Sequence, residues 1–138
     1  MYIPAGDECL TLSQMVSFSR EINAVLCYAY LGDVTSSVTG DTKAQVFEDA
    51  YLEELLEYLR QAGVPGVTYM PTRNTRAQLE RVRALADSLG FLQVCGEDIN
   101  SPRQGFVVKA MDDPIFKNLI DTTWALIDHE NGKKRIII

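Results

Sequence analysis

The chain is nearly without histidine. His129 is the single one among 138 residues, so chemistry that needs several imidazoles on one metal cannot be assembled from this sequence by itself. Cysteine is scarce too. Cys9, Cys27 and Cys95 are odd in number and show no C-x-x-C spacing, which argues against a disulfide framework or a thiolate zinc site and for a reducing compartment. Basic charge is in deficit, with 13 Lys and Arg against 19 Asp and Glu, a net charge of −6 and a pI of about 4.7. Binding nucleic acid without regard to sequence takes a basic surface that displaces counterions, and the short run Lys133-Lys134-Arg135 does not supply one. No apolar run is long enough to span a bilayer, and Met1 to Glu8 has neither a basic stretch nor an apolar one. The expectation is a cytoplasmic protein with no membrane or nucleic-acid partner. Also missing are the P-loop, G-x-G-x-x-G, G-x-S-x-G and H-E-x-x-H patterns, which removes the NTPase, dinucleotide, serine-hydrolase and zincin readings.

What is present is a globular composition, 46% hydrophobic and 23% charged, in a length that fits one domain over residues 1–138. Four helices can be read with their punctuation. The first opens at Thr11 with Gln14 three residues on, a capping box, and carries Leu12, Met15, Val16 and Ile22. A second runs from about Thr42 to Ala62, with Phe47, Tyr51, Leu55 and Leu59 every four residues, Leu52 and Leu56 beside them, and Gly63 as its stop. The third opens at Thr75 with Gln78, turns Leu79, Val82, Leu85 and Leu89 inward, and stops at Gly90. The fourth has Asp113 as N-cap and Pro114 at its first turn, with Ile115, Phe116, Leu119, Ile120, Trp124 and Ile127 at core spacing.

Between them lie apolar runs that read as strands buried on both faces: Ala24 to Tyr28, Gly66 to Met70, and Phe91 to Cys95. Phe106 to Val108 and Arg135 to Ile138 are further candidates. The order implies an α/β fold with a parallel β-sheet of three to five strands and flanking helices. An open sheet edge, together with the apolar tail Ile136-Ile137-Ile138, predicts self-association through that edge or an apolar face.

Parallel strands bring their following loops to one edge, where α/β folds hold ligands. Here those loops carry Asp33, then Arg73 and Asn74, then Glu97, Asp98, Asn100 and Arg103. The helix opening at Thr75 directs its N-terminal N–H groups to the same edge, which suits an anion. Arg73 and Arg103 could grip a phosphate or carboxylate with planar forks, or Arg73 could instead pair with a loop carboxylate. Gly96-Glu97-Asp98 is open to two readings, a metal-holding turn or a polar exit from the core. His129 reads as a cation at a helix C-terminus. Cys95 reads as a buried, inert thiol, and Glu53, Glu54 and Glu57 as a solvated helix face.

At these loops the sequence resembles the C-terminal part of the polymerase-and-histidinol-phosphatase (PHP) domain family. Those proteins are metal-dependent phosphoesterases on a distorted β/α barrel. The matching places are Cys27-Tyr28-Ala29, then Pro71 and Asn74-Thr75-Arg76-Ala77-Gln78, then Gly96-Glu97-Asp98-Ile99-Asn100, within a similarity spanning roughly residues 12 to 105. The resemblance implies that the domain is the C-terminal portion of a larger PHP-type barrel. It implies a divalent metal (manganese, zinc or iron) at Asp98 with Glu97 beside it, and a phosphorylated ligand met by Arg73, Asn74, Asn100 and Arg103. Tyr28, Asn74 and Asn100 stand where the family has histidine, so the metal site is incomplete or degenerate. The resemblance therefore implies a phosphoesterase that needs ligands from an N-terminal half. The alternatives are a non-catalytic module for a phosphorylated or carboxylated small molecule, and a protein-interaction domain.

Overall fold

In the computed structural model the described residues are 5–34, 48–99, 102, 105–134 and 136. Short α1 (Ala5–Glu8) precedes α2 (Leu12–Glu21), followed by β1 (Cys27–Ala29), α3 (Leu52–Gln61), β2 (Gly66–Tyr69), α4 (Arg76–Leu89), β3 (Leu92–Cys95) and α5 (Lys117–Glu130). The three strands form one parallel sheet in the order β1-β2-β3. The expected α/β class and parallel sheet are therefore present, with three strands among the described residues. Tyr28, Val67 and Gln93 lie side by side in register, as do Tyr69 and Cys95 two residues further on. No helix among the described residues is long and apolar enough to cross a membrane.

Two helix starts follow the sequence signals closely. Thr11 and Thr75 each accept a hydrogen bond from the backbone N–H three residues on, while Gln14 and Gln78 reach back to the cap. α4 ends at Gly90 in the left-handed region, φ 68°. The core joins Leu52, Leu56 and Leu59 of α3 and Leu79, Val82 and Ala86 of α4 with Val67 and Tyr69 of β2, closed by Phe91, Phe116 and Leu119. Inside it, the Tyr69 hydroxyl donates to Gln93 Oε1 at 2.9 Å and Asn118 Nδ2 donates to both. Gln93 passes its own Nε2–H to Asp87 at 2.6 Å. A buried polar cluster of this kind fixes how β2, β3 and α5 meet, because each donor left unpaired would cost about 1–3 kcal/mol.

Several expectations are corrected. The helix expected from Thr42 starts at Leu52, and Glu48 to Ala50 is a turn; residues 42–47 lie outside the described set. Tyr51 and Leu55 are accordingly not the buried stripe, which is Leu52, Leu56 and Leu59. β1 starts at Cys27 rather than Ala24, because Asn23 turns the chain at φ 55° just before it. Phe106 to Val108 is no strand: these residues precede a 3-10 turn at Lys109–Asp112, with Phe106 90% and Val107 80% exposed. Asp113 does cap, accepting from Ile115 N–H, but it opens a 3-10 turn (Pro114–Phe116) that only then passes into α5. Trp124 is 64% exposed, not in the core. Of the C-terminal strand candidate only Ile136 is described.

Candidate functional site

The C-terminal ends of the three strands are Ala29, Tyr69 and Cys95, and the loops that follow them do meet. Leu31 O accepts from Asn74 Nδ2 at 2.7 Å and from Arg73 Nε at 3.2 Å, which joins the first loop to the second. Thr72 gives its N–H (2.7 Å) and its hydroxyl to the two oxygens of Glu97, which joins the second to the third. Convergence is therefore met for Asp33, Arg73, Asn74 and Glu97. Asn100 and Arg103 lie outside the described residues.

The roles differ from those expected. Glu97 takes a hydrogen bond from Thr72 on each carboxylate oxygen and so ties the second loop to the third. Arg73 makes no ion pair among the described residues and bonds a carbonyl instead of a loop carboxylate. Asn74 is buried, 8% exposed, and its Oδ1 has no hydrogen-bond partner. Asp98 lines a cavity of about 340 Å³ with Thr72, Glu97 and Lys109. A second cavity of about 280 Å³ shares Lys109 and Ala110 with it and is lined also by Asn74, Arg76 and Asp113. Arg76 is neutralised twice, by Glu80 and Asp113 at 2.6 Å each. The Ile115 N–H bond, then Arg76, hold the Asp113 carboxyl below the usual carboxylate range. Lys109 makes no ion pair among the described residues; it shares one cavity with Glu97 and Asp98 and the other with Asp113.

A carboxylate cluster that periodicity hid lies beside this edge. Glu48, 2% exposed, accepts from the Tyr28 hydroxyl and from the N–H groups of Leu31 (3.2 Å) and Gly32 (2.7 Å). Asp49 accepts from the Tyr30 hydroxyl (2.5 Å), Asp33 N–H (3.1 Å) and Gln78 Nε2 (2.7 Å). Asp33 returns the favour with one oxygen, which accepts from Glu48 and Asp49 N–H. Gln78 thus caps α4 with its oxygen and holds Asp49 and Asp33 O with its nitrogen. Burial raises the Asp49 pKa, but Gln78, Tyr30, the Asp33 N–H and Arg81 outweigh it and hold the carboxyl below its usual value. Burial, then Glu48, pushes the Tyr28 phenol far up; burial and Asp49 do the same for Tyr30. Both phenols stay protonated donors at neutral pH. Tyr28 is therefore a clasp for Glu48. Periodicity gave no sign of it, because the spacing of Phe47, Tyr51, Leu55 and Leu59 runs through a segment where the helix begins only at Leu52.

Three other groups are settled by their surroundings. His129 is buried; its Nε2 donates to Asn23 O at 2.9 Å and its Nδ1 accepts from Ile136 N–H at 2.9 Å. Its ring ties the end of α5 to Asn23 and to the backbone of Ile136. Burial pushes the Cys27 thiol up to about 11 and also raises Cys95, which makes both poor nucleophiles.

The donor set decides the fit of a divalent metal. Glu97 and Tyr28 are engaged, and Asn74 offers a weak carboxamide oxygen. Among the described residues no three His, Cys, Asp or Glu side chains are grouped to hold a metal ion. The described residues therefore do not fit the metal centre that the PHP resemblance implies. No family model matches this chain, nor does any curated protein or solved structure.

Proposed function

We propose that the C-terminal sheet edge binds a phosphorylated or carboxylated small molecule, in a PHP-type domain whose hydrolytic machinery is incomplete in this chain. The observation that carries this reading is Asn74, buried with an unpartnered Oδ1, lining a cavity with Lys109 at the N-terminal end of α4. A helix N-terminus favours an anion by roughly 0.3–1 kcal/mol at an exposed site, and an unpaired ammonium adds to it. A second reading, metal-dependent phosphate-ester hydrolysis, is favoured by Asp98, which puts a carboxylate in the adjoining cavity that shares Lys109. It requires further metal ligands from outside the described residues.

Thermal unfolding with glucose 6-phosphate and with inorganic phosphate tests the binding reading. A ligand at about 100 times its Kd stabilises by about 2.7 kcal/mol, several degrees for a domain of this size. Lys109→Ala is expected to lose most of that shift while unfolding normally without ligand. No shift with either compound at millimolar concentration refutes binding. Manganese, iron or zinc retained stoichiometrically by the purified protein, and lost in Asp98→Asn, would favour hydrolysis instead.

A further inference from the structure

The single histidine of the chain lies buried near the end of α5, away from the sheet edge that carries the candidate site. Its two ring nitrogens hold two different segments. Nε2 lies 2.9 Å from Asn23 O, just beyond α2, with Asn23 Nδ2 at 3.3 Å, and Nδ1 takes the Ile136 N–H at 2.9 Å. A backbone N–H can only donate, so Nδ1 meets it with a lone pair, and these partners assign the ring proton to Nε2. The turn between α5 and Ile136 is held differently. Gly132 N–H goes to His129 O at 3.1 Å, and the N–H groups of Lys133 and Lys134 go to Asp128 O at 2.9 and 3.3 Å. Those acceptors are carbonyls, which do not titrate. Ile136 has no other hydrogen bond among the described residues. With Arg60, Phe91 and Leu92 it walls a cavity of about 460 Å³ at the N-terminal ends of β2 and β3.

We propose that His129 is a proton-operated latch: the neutral ring holds the backbone at Ile136 against the end of α5, and a second proton, taken up on Nδ1, releases it and opens that cavity. A proton on Nδ1 sets two donors, Nδ1–H and Ile136 N–H, against each other at 2.9 Å, where no hydrogen bond forms. The other nitrogen is untouched and goes on donating to Asn23 O, now from a charged ring. Protonation therefore cuts one tie and keeps the other. Docking of Ile136 and proton uptake on Nδ1 exclude each other, so the latch is closed above the imidazole range and opens as pH falls through it.

Charged groups stand on every segment around the ring. They are Arg20 and Glu21 in the last turn of α2, Asp128 and Glu130 beside it on α5, Lys133 and Lys134 in the turn, and Arg60 and Asp87 at the cavity. Asp128 pairs with Lys133 at 3.7 Å, and Asp87 takes Gln93 Nε2 at 2.6 Å. The ring itself is bonded to none of them, so the response belongs to its own two hydrogen-bonded segments.

Amide hydrogen exchange read by NMR on the full chain, at about pH 8 and about pH 5, which bracket the charge change of imidazole, is the test. Rates are referred to those of an unstructured peptide at each pH. Ile136 N–H is expected to lose roughly tenfold in protection at the lower pH, the measure of one hydrogen bond. Gly132 N–H, whose acceptor does not titrate, should keep its protection. The Leu92 methyl resonances should move with the same midpoint as the His129 ring protons. His129→Asn supplies an acceptor that does not titrate and should hold Ile136 alike at both pH values, while His129→Phe supplies none and should leave Ile136 unprotected at both. Equal protection of Ile136 at the two pH values in the parent chain overturns the proposal. So does a loss shared in full by Gly132, which would mean that the end of α5 unfolds, or a His129→Asn variant that keeps the pH response.

Discussion

Replacing Glu48 separates hydrogen bonding from charge at the most buried carboxylate of the fold. One oxygen takes the Tyr28 hydroxyl, and the other takes the N–H groups of Leu31 and Gly32. Glu48→Ala leaves three donors without an acceptor, and that of Gly32 is in a buried residue. Each orphaned donor costs about 1–3 kcal/mol, with part recovered where water can enter, so a loss of roughly 3–5 kcal/mol is expected. Glu48→Gln is different. Its oxygen can keep the two backbone N–H groups, and its amide nitrogen can donate to a Tyr28 hydroxyl turned to accept. Only the charge assistance is lost, about 1–2 kcal/mol. Urea unfolding followed by far-UV circular dichroism measures both; Trp124, being mostly exposed, is a poor reporter of core melting. A total stability of about 5–15 kcal/mol leaves the Ala variant marginal and the Gln variant sound. If Ala costs under about 1 kcal/mol, or if Gln costs as much as Ala, the account of this cluster is wrong.

Two further outcomes test the same edge. A methyl group on Gly32 would sit 2.5 Å from Asn74 Nδ2 and 2.8 Å from the Tyr30 hydroxyl, at φ 68°, whereas one on Gly90 at the same φ would meet nothing closer than 3.9 Å. Gly32→Ala should therefore cost at least about 2 kcal/mol more than Gly90→Ala, whose loss is about 1 kcal/mol of left-handed strain; equal urea midpoints would refute this. Asp49 has its folded pKa below the unfolded value of about 3.9, so its contribution is present above that value and lost as pH falls through the folded pKa. Asp49→Asn should lower the urea midpoint at pH 7 and lower it by less near pH 3, about one unit below the unfolded value. A constant difference at both pH values would count against the assignment.

The architecture was legible where local chemistry and tertiary packing agree. Thr11 with Gln14, Thr75 with Gln78 and the Gly90 stop are each decided within a turn of chain, and each is found. The apolar runs Ala24 to Tyr28, Gly66 to Met70 and Phe91 to Cys95 needed only their length and their flanking helices to be read as parallel strands, which are found at Cys27–Ala29, Gly66–Tyr69 and Leu92–Cys95. Legibility failed where a period ran on past the structure that caused it. Phe47 and Tyr51 continue the four-residue spacing of Leu55 and Leu59, yet Glu48 and Asp49 have better partners in the β1 loop than a helix could offer them. Trp124 failed for a related reason: spacing shows that a side of α5 is apolar but not which of two apolar sides meets the sheet.

The candidate site shows a different limit. That its loops share one edge follows from strand direction, and direction follows from the order of elements. What each polar side chain does at that edge depends on which neighbour satisfies it first. Glu97 and Asp98 are adjacent carboxylates with equal claim to a metal in the sequence. Thr72 engages both oxygens of Glu97 and leaves the two residues with different roles. Arg73 and Arg76 look alike three residues apart, but Arg76 has Glu80 one turn along its own helix and Asp113 before α5, while Arg73 meets only a carbonyl. The charge that remains to meet a ligand is what internal pairing leaves over. Among the described residues the cations of this edge without an ion pair are Arg73 and Lys109, with the unpartnered oxygen of Asn74 beside them, and of these Arg73 and Asn74 stood out in the sequence. Lys109 gave no sign, because its place is set by the chain's path from Gly105 through the 3-10 turn at Lys109–Asp112 and not by any motif around it.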